Sequence, residues 1–471
     1  MSTAVSMVDR ETFFAAIARH RRASWRVTAA CAVAVIVVAI VVAILMAPLL
    51  YCLLALGFDL INLVTPAPDL MRWMGGLVDP IFSARTSASG ATIVRAGAIA
   101  AMPGLTLMAI AALGLRRIWT KSPLFDGGDL PGRTPDRSVL AEERLANVVE
   151  EMAIAAGIPA PRVVIVPGGV NAAACGRDQS HVTLLVGDAL PGSLDREQLE
   201  GAIGHLIASI ANGDMTIGLR VTTTLALFAL VARAGSSLDD RFAFRQTASL
   251  WRVFVAPTSA NTIALLGALA DPFCDTAARP ATTPPVSRGT ALTWREWVTM
   301  PLMGPVLITG FLCAMVTGFL LQPLIALAWR QRKYMADATA VQLTRDPDAL
   351  AGALAAMADG PRGIVPWTAH LAVAADPRSE SGSLGGGMVP VFPSVEKRTR
   401  ALARLGAHVA STGSSRMPWP LLMIAGVLGA VLAALMGVVV YLLVIVSAAL
   451  SGLFTVVPAA LLHALLRSLG R

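Results

Sequence analysis

The chain has 471 residues, 55% of them hydrophobic and only 14% charged. That balance excludes an ordinary soluble enzyme and points to a membrane protein with more than one structural unit. The formal net charge of +8 reads as basic flanks of membrane spans, and with no basic run interleaved with aromatics it argues against a nucleic-acid partner.

In chain order, residues 1–26 form a basic tail carrying Arg10, Arg19, Arg21, Arg22 and Arg26. Residues 27–115 hold two spans. The first apolar run, 27–58, exceeds the ~20 residues a helix needs to cross a bilayer and is too long for the core of a cleaved signal peptide. It continues past Pro48, where a kink is expected. The second span, 91–115, is closed by Arg116, Arg117 and Lys121, which puts the N-terminus and residues 116 onward in the cytoplasm.

Residues 116–216 read as the first half of a soluble domain: a helix over 138–156, strands at 163–166 and 182–186, and a helix over 195–210 capped by Ser193 or Asp195. Residues 217–329 read as a transmembrane hairpin, with a marginal span at 217–231, a mixed loop at 235–297 and a clear span at 300–329. Residues 330–420 form the second half of the domain, with helices near 332–344, 348–357 and 396–405. Residues 421–471 close the chain with a hairpin of two spans, returning Arg467 and Arg471 to the cytoplasm. The five Cys (Cys31, Cys52, Cys175, Cys274, Cys313) form no C-x-x-C pair, so neither a disulfide framework nor a thiolate zinc site is indicated.

The stretch 200–216, EGAIGHLIASIANGDMT, has the outline of a zinc-peptidase helix. In the pattern H-E-x-x-H two His sit one turn apart on one face, with a Glu beside the metal as general base. Here the first position is His205, but Leu206 stands at the Glu and Ser209 at the second His.

Further segments carry a resemblance. These are Asn147-Val148-Val149-Glu150-Glu151-Met152 with Gly157-Ile158-Pro159, and Asn171-Ala172-Ala173-Ala174-Cys175-Gly176-Arg177. Later come Arg330-Gln331-Arg332-Lys333-Tyr334-Met335-Ala336-Asp337-Ala338, Asp346-Pro347-Asp348, and Phe392-Pro393-Ser394-Val395-Glu396-Lys397-Arg398. Together with 196–215 they resemble the membrane-embedded zinc metallopeptidases of the HtpX and CAAX-prenyl endopeptidase superfamily. The resemblance implies a mainly α membrane protein of about six transmembrane helices, with a cytoplasmic zincin-like α+β domain. It also implies zinc held by His205, by a His at position 209 and by an acid at position 333, with a general base at 206.

In this chain Ser209 is not a usual zinc donor, Lys333 would repel a cation, and Leu206 accepts no proton. The expectation is therefore a pseudopeptidase without cofactor, in which only His205 remains of the ligand set. Lys333 and Asp337, one turn apart, would join His205 as a metal-free cluster, with Asn212 and Asp214 as supporting residues. His181 and His370 are spare imidazoles that would have to fold back to reach His205. The strand with Val182, Leu184 and Val186 is either a buried core strand or an edge that holds an extended peptide.

Ser209 lacks a base and an elbow motif for nucleophilic work, and Gly385-Gly386-Gly387 lacks the Lys-Ser/Thr of a phosphate loop. The partners implied are the lipid bilayer and either membrane-protein segments or an active peptidase. The location implied is the bacterial inner membrane. The competing expectations are an active zinc endopeptidase in membrane-protein quality control and a structural membrane protein with a decayed site.

Overall fold

The computed structural model describes residues 11–73, 75–76, 90–123, 132–167, 169–218, 321–359, 372–374, 393–408 and 456–469, with isolated positions elsewhere. Within these it is mostly helical. Helix α1, Phe13–Asn62, runs for 50 residues, about 75 Å at the standard rise. No Gly or Pro interrupts the sequence from Glu11 to Ala47, and the Thr12 hydroxyl accepts from Ala15 N at 3.3 Å to cap the start. The segment expected as a basic tail is thus, over 13–26, the opening turns of α1, and the helix continues through Pro48 as one element.

Helix α2, Gly90–Lys121, returns antiparallel against α1. Tyr51 Oη donates to Ile99 O at 2.7 Å, and Gly104 lies so close to α1 that a Cβ there would sit 2.6 Å from Ala43 Cα. Segments of these two helices, Phe13–Ile44 and Val94–Lys121, are the described ones long and apolar enough to cross a membrane. The expected spans at 217–231, 300–329 and 421–446 lie largely outside the described residues.

The soluble domain begins with α3, Leu140–Ala156, which ends on Gly157 at φ 67, a left-handed position that glycine fills without strain. Strands β1 (Arg162–Val166), β2 (Ala172–Asp178) and β3 (His181–Gly187) form a sheet in the order β1-β3-β2. β3 is parallel to β1 and antiparallel to β2. The proposed peptide edge at Val182, Leu184 and Val186 is therefore the central strand. Both of its sides are already paired and all three side chains are buried. The outer side of β2 is itself covered: Ala372 bridges Ala173, and Val373 N donates to Ala172 O at 2.8 Å.

After the short α4 (Leu190–Ser193) comes α5, Arg196–Ala211. Its N-terminus is a capping box in which Asp195 and Gln198 satisfy each other's backbone N–H. Helices α6 (Gln322–Thr344), α7 (Pro347–Asp359) and α8 (Val395–Arg404) complete the domain. Leu145, Val148 and Val149 of α3 meet Leu199, Ile203, Leu206 and Ile207 of α5 and Leu350 and Leu354 of α7 in one buried cluster. Gly201 lets α5 come against the α7 backbone, where a Cβ would meet Leu350 N at 2.5 Å.

The last described helix, α9 (Val457–Leu469), corrects the expected topology. Asp59, near the end of α1, is only 3% exposed, and a buried carboxylate needs positive partners. It receives His463 Nδ1 at 2.6 Å and Arg467 Nε at 3.3 Å. Arg467 therefore lies at the end of α1 away from the soluble domain, not on the domain's side.

Candidate functional site

Two crossing helices build the site. α5 places His205 and Ser209 one turn apart, and α6 places Lys333 and Asp337 one turn apart. All four side chains are buried. His205 Nδ1 lies 2.7 Å from Asp337 Oδ1. The third partner comes from α8: Arg398 donates to Asp337 through Nε at 2.9 Å and Nη2 at 2.6 Å, a bidentate clasp.

Burial alone would raise the Asp337 carboxyl, but Arg398 and His205 outweigh it and hold it well below the usual carboxylate range. Burial pushes the His205 imidazole down to about 4, against the pull of Asp337. The ring is thus neutral near pH 7. Because an ionised carboxylate only accepts, the His205 proton sits on Nδ1 and the Nε2 lone pair is bare. Nε2 is buried and has no hydrogen-bond partner among the described residues.

Lys333 sits in the same interior. Its Nζ donates to Ala372 O at 2.6 Å. Burial, reinforced by Arg398, pushes its ammonium down to about 7. Arg398 Nη1 bonds the next carbonyl, Val373 O. Two cations thus hold consecutive carbonyls of 372–374, and Asn171 adds Nδ2 to Ala374 O at 3.0 Å.

A second buried knot lies one turn along α5. Ser209 Oγ donates to Asp214 Oδ2 at 2.5 Å, and Arg332 Nε donates to Asp214 Oδ1. Burial raises the Asp214 carboxyl against the pull of Arg332. Arg332 also donates to Asn212 O at 2.7 Å and reaches Ser24 Oγ of α1 at 3.5 Å. Asn212 Nδ2 donates to Thr339 Oγ1 of α6 at 3.3 Å.

Of the residues singled out in the sequence, His205, Asp337 and Lys333 come together, as do Ser209, Asn212 and Asp214. The principal cation on Asp337, Arg398, carried no assigned role in the sequence. Its signal was its place as the last residue of the Phe392–Arg398 segment. His181 lies at the β2–β3 turn, half-exposed and paired with Asp178 at 2.9 Å. His370 lies outside the described residues.

The donor set does not fit a three-ligand zinc site. Among the described residues no group of three or more His, Cys, Asp or Glu could hold a metal ion. The Ser209 hydroxyl is committed to Asp214, Leu206 is packed in the apolar core, and Lys333 brings a cation.

A family model described as Peptidase family M48 matches residues 140–274. The chain resembles the M48 peptidases. The matched stretch begins at α3 and includes His205, Leu206 and Ser209; Lys333, Asp337 and Arg398 lie beyond it. Among curated proteins, the chain is 37% identical over 138 residues to "Protease HtpX homolog" of Pyrococcus furiosus, covering 27% of this chain and 48% of that protein. It is 28% identical over 266 residues to the homologue of Dictyoglomus thermophilum, covering 56% and 69%. It is 26% identical over 269 residues to that of Aquifex aeolicus, covering 55% and 71%. The matches thus span from about half to about 70% of those relatives' lengths. No solved structure matches.

Proposed function

We propose that this protein is a membrane-embedded relative of the M48 peptidases that binds without cleaving. Its peptidase-like domain would lie on the cytoplasmic side of a bacterial inner membrane. The observation that carries the reading is the fate of the three ligand positions: one imidazole, one hydroxyl already bonded to a carboxylate, and one lysine. With Leu206 where a base would stand, no side chain at that position can activate water. A binding or regulatory role toward membrane-protein segments, or toward an active peptidase, uses the frame without the metal. Because β3 is central, such a partner would dock elsewhere on the domain.

One observation favours a second reading, an active membrane zinc endopeptidase in quality control. His205 Nε2 is neutral, unpartnered and held in orientation by Asp337. A carboxylate behind the imidazole is how a metal-binding His is normally fixed. The relatives, moreover, are named proteases. Further ligands would then come from residues beyond those described.

Zinc content of the detergent-purified chain separates the two. The first reading expects metal-free wild type and about one zinc per chain in a Leu206→Glu, Ser209→His, Lys333→Glu variant. Stoichiometric zinc in wild type, released by His205→Ala, establishes the second.

A further inference from the structure

The α1–α2 hairpin carries a one-sided collar of charge. Arg22 and Arg26 on α1 are exposed, as are Arg116, Arg117 and Lys121 on α2. The antiparallel register set by Tyr51 with Ile99 and Ala43 with Gly104 puts Lys121 beside Arg26 and gathers the five within about 15 Å along one end of the hairpin. Among the described residues none of the five has an ion pair, although the neighbouring Arg19 pairs with Glu11 at 2.5 Å. No Asp or Glu occurs on α1 between Glu11 and Asp59, or anywhere on α2. Trp25 sits inside the collar and is 72% exposed. An indole at that depth suits the boundary between acyl chains and headgroups. The opposite end of α1 contrasts with this: there Asp59 and Asp69 meet His463 and Arg467.

From these observations we infer that the collar is a binding surface for anionic phospholipid headgroups, with the five cations on the phosphates and Trp25 in the interface. Charge complementarity carries the inference. Five like charges gathered at one end of the hairpin repel each other and are stabilised by a multivalent anionic surface, and clusters of this size beside a span attract anionic lipid by this means. The short distance along α1 from Arg22 and Arg26 to Ser24 also ties the collar to the Arg332–Asp214 knot. The inference holds whether the site cleaves or only binds.

The test uses the full chain reconstituted in vesicles and reads its preference for phosphatidylglycerol over phosphatidylcholine by quencher-lipid exchange. Wild type should prefer the anionic lipid at least about tenfold, with each neutralisation among Arg22→Gln, Arg26→Gln, Arg116→Gln, Arg117→Gln and Lys121→Gln lowering that by up to about fivefold. Arg137→Gln with Arg196→Gln, exposed cations on the domain paired with Glu150 and Glu151, should leave it unchanged. Added salt should weaken the wild-type preference without any substitution. Equal affinity for the two lipids, no response to salt, the same loss from the Arg137 and Arg196 pair, or displacement of the lipid by inorganic phosphate would overturn the inference.

Discussion

Asp337 has a buried Arg on one side and a buried neutral His on the other. Asp337→Asn keeps the shape but leaves Arg398 uncompensated, which costs about 3–5 kcal/mol. The expected result is a large fall in Tm of the detergent-purified chain, and an unchanged Tm would rule out the clasp. Lys333 behaves differently, and magnitudes decide the sign. Losing its bond to Ala372 O costs about 1–3 kcal/mol. An ammonium pushed from 10.5 to about 7 by burial is already costing more than that at pH 7, about 1.4 kcal/mol per unit. Lys333→Met should therefore raise Tm at pH 7. The gain should shrink towards pH 10, where the unfolded lysine also loses its proton.

His205 sets an acid limb. Its folded value of about 4 lies below the ordinary 6.5. The unfolded chain therefore binds a proton first as pH falls. Its contribution is complete above 6.5, is lost progressively down to about 4, and amounts to about 3 kcal/mol. His205→Gln should flatten the stability profile in that window, as followed by thermal unfolding across pH. The zinc-peptidase outline made His205 legible beforehand, the family resemblance brought in Asp337, and one-turn spacing added Lys333 beside it. Arg398 was not legible, because its bond to Asp337 spans 61 positions and depends on how α8 docks.

At the scale of elements, local signals read well where they were strong. The capping box at Asp195 and the left-handed Gly157 place the ends of α5 and α3 within a residue or two of the sequence reading. β1 and β3 are rich in Val and were read; β2, with the sequence AAACGRD, has few β-forming side chains. It is a strand because β3 and residues 372–374 pair with it on either side. The same hidden pairing explains why β3 could be read as an edge. Between helices, the crossing of α1 and α2 rests on Gly104. Gly104→Val would drive a side chain into the Ala43 backbone, at a cost of about 1–3 kcal/mol or more. A lowered Tm, with loss of a disulfide engineered between α1 and α2, is the expected outcome.

At the scale of the molecule, composition announced a membrane protein and two spans near the start, but chain topology follows from tertiary contacts. The buried Asp59 with His463 and Arg467 puts the end of α9 at the far end of α1. No local pattern near residue 460 carries that information. In a Cys-free background, Lys121→Cys and Ser468→Cys should react with a membrane-impermeant maleimide from opposite faces of a sealed vesicle. Labelling from the same face would contradict the placement.

The opening turns of α1 have a practical consequence. Glu11 N reaches Arg404 O at 2.9 Å, Arg345 lies 5.0 Å over the Phe13 ring, and His20 bonds Gln331 at 2.7 Å. Anchor and domain are thus fastened to each other by direct contacts of the first turns of α1 with α6 and α8. Grafting the domain onto a foreign anchor, or trimming the first 26 residues as dispensable, would strip α6 and α8 of their neighbour. The unit that can be transplanted is the domain together with its first helix.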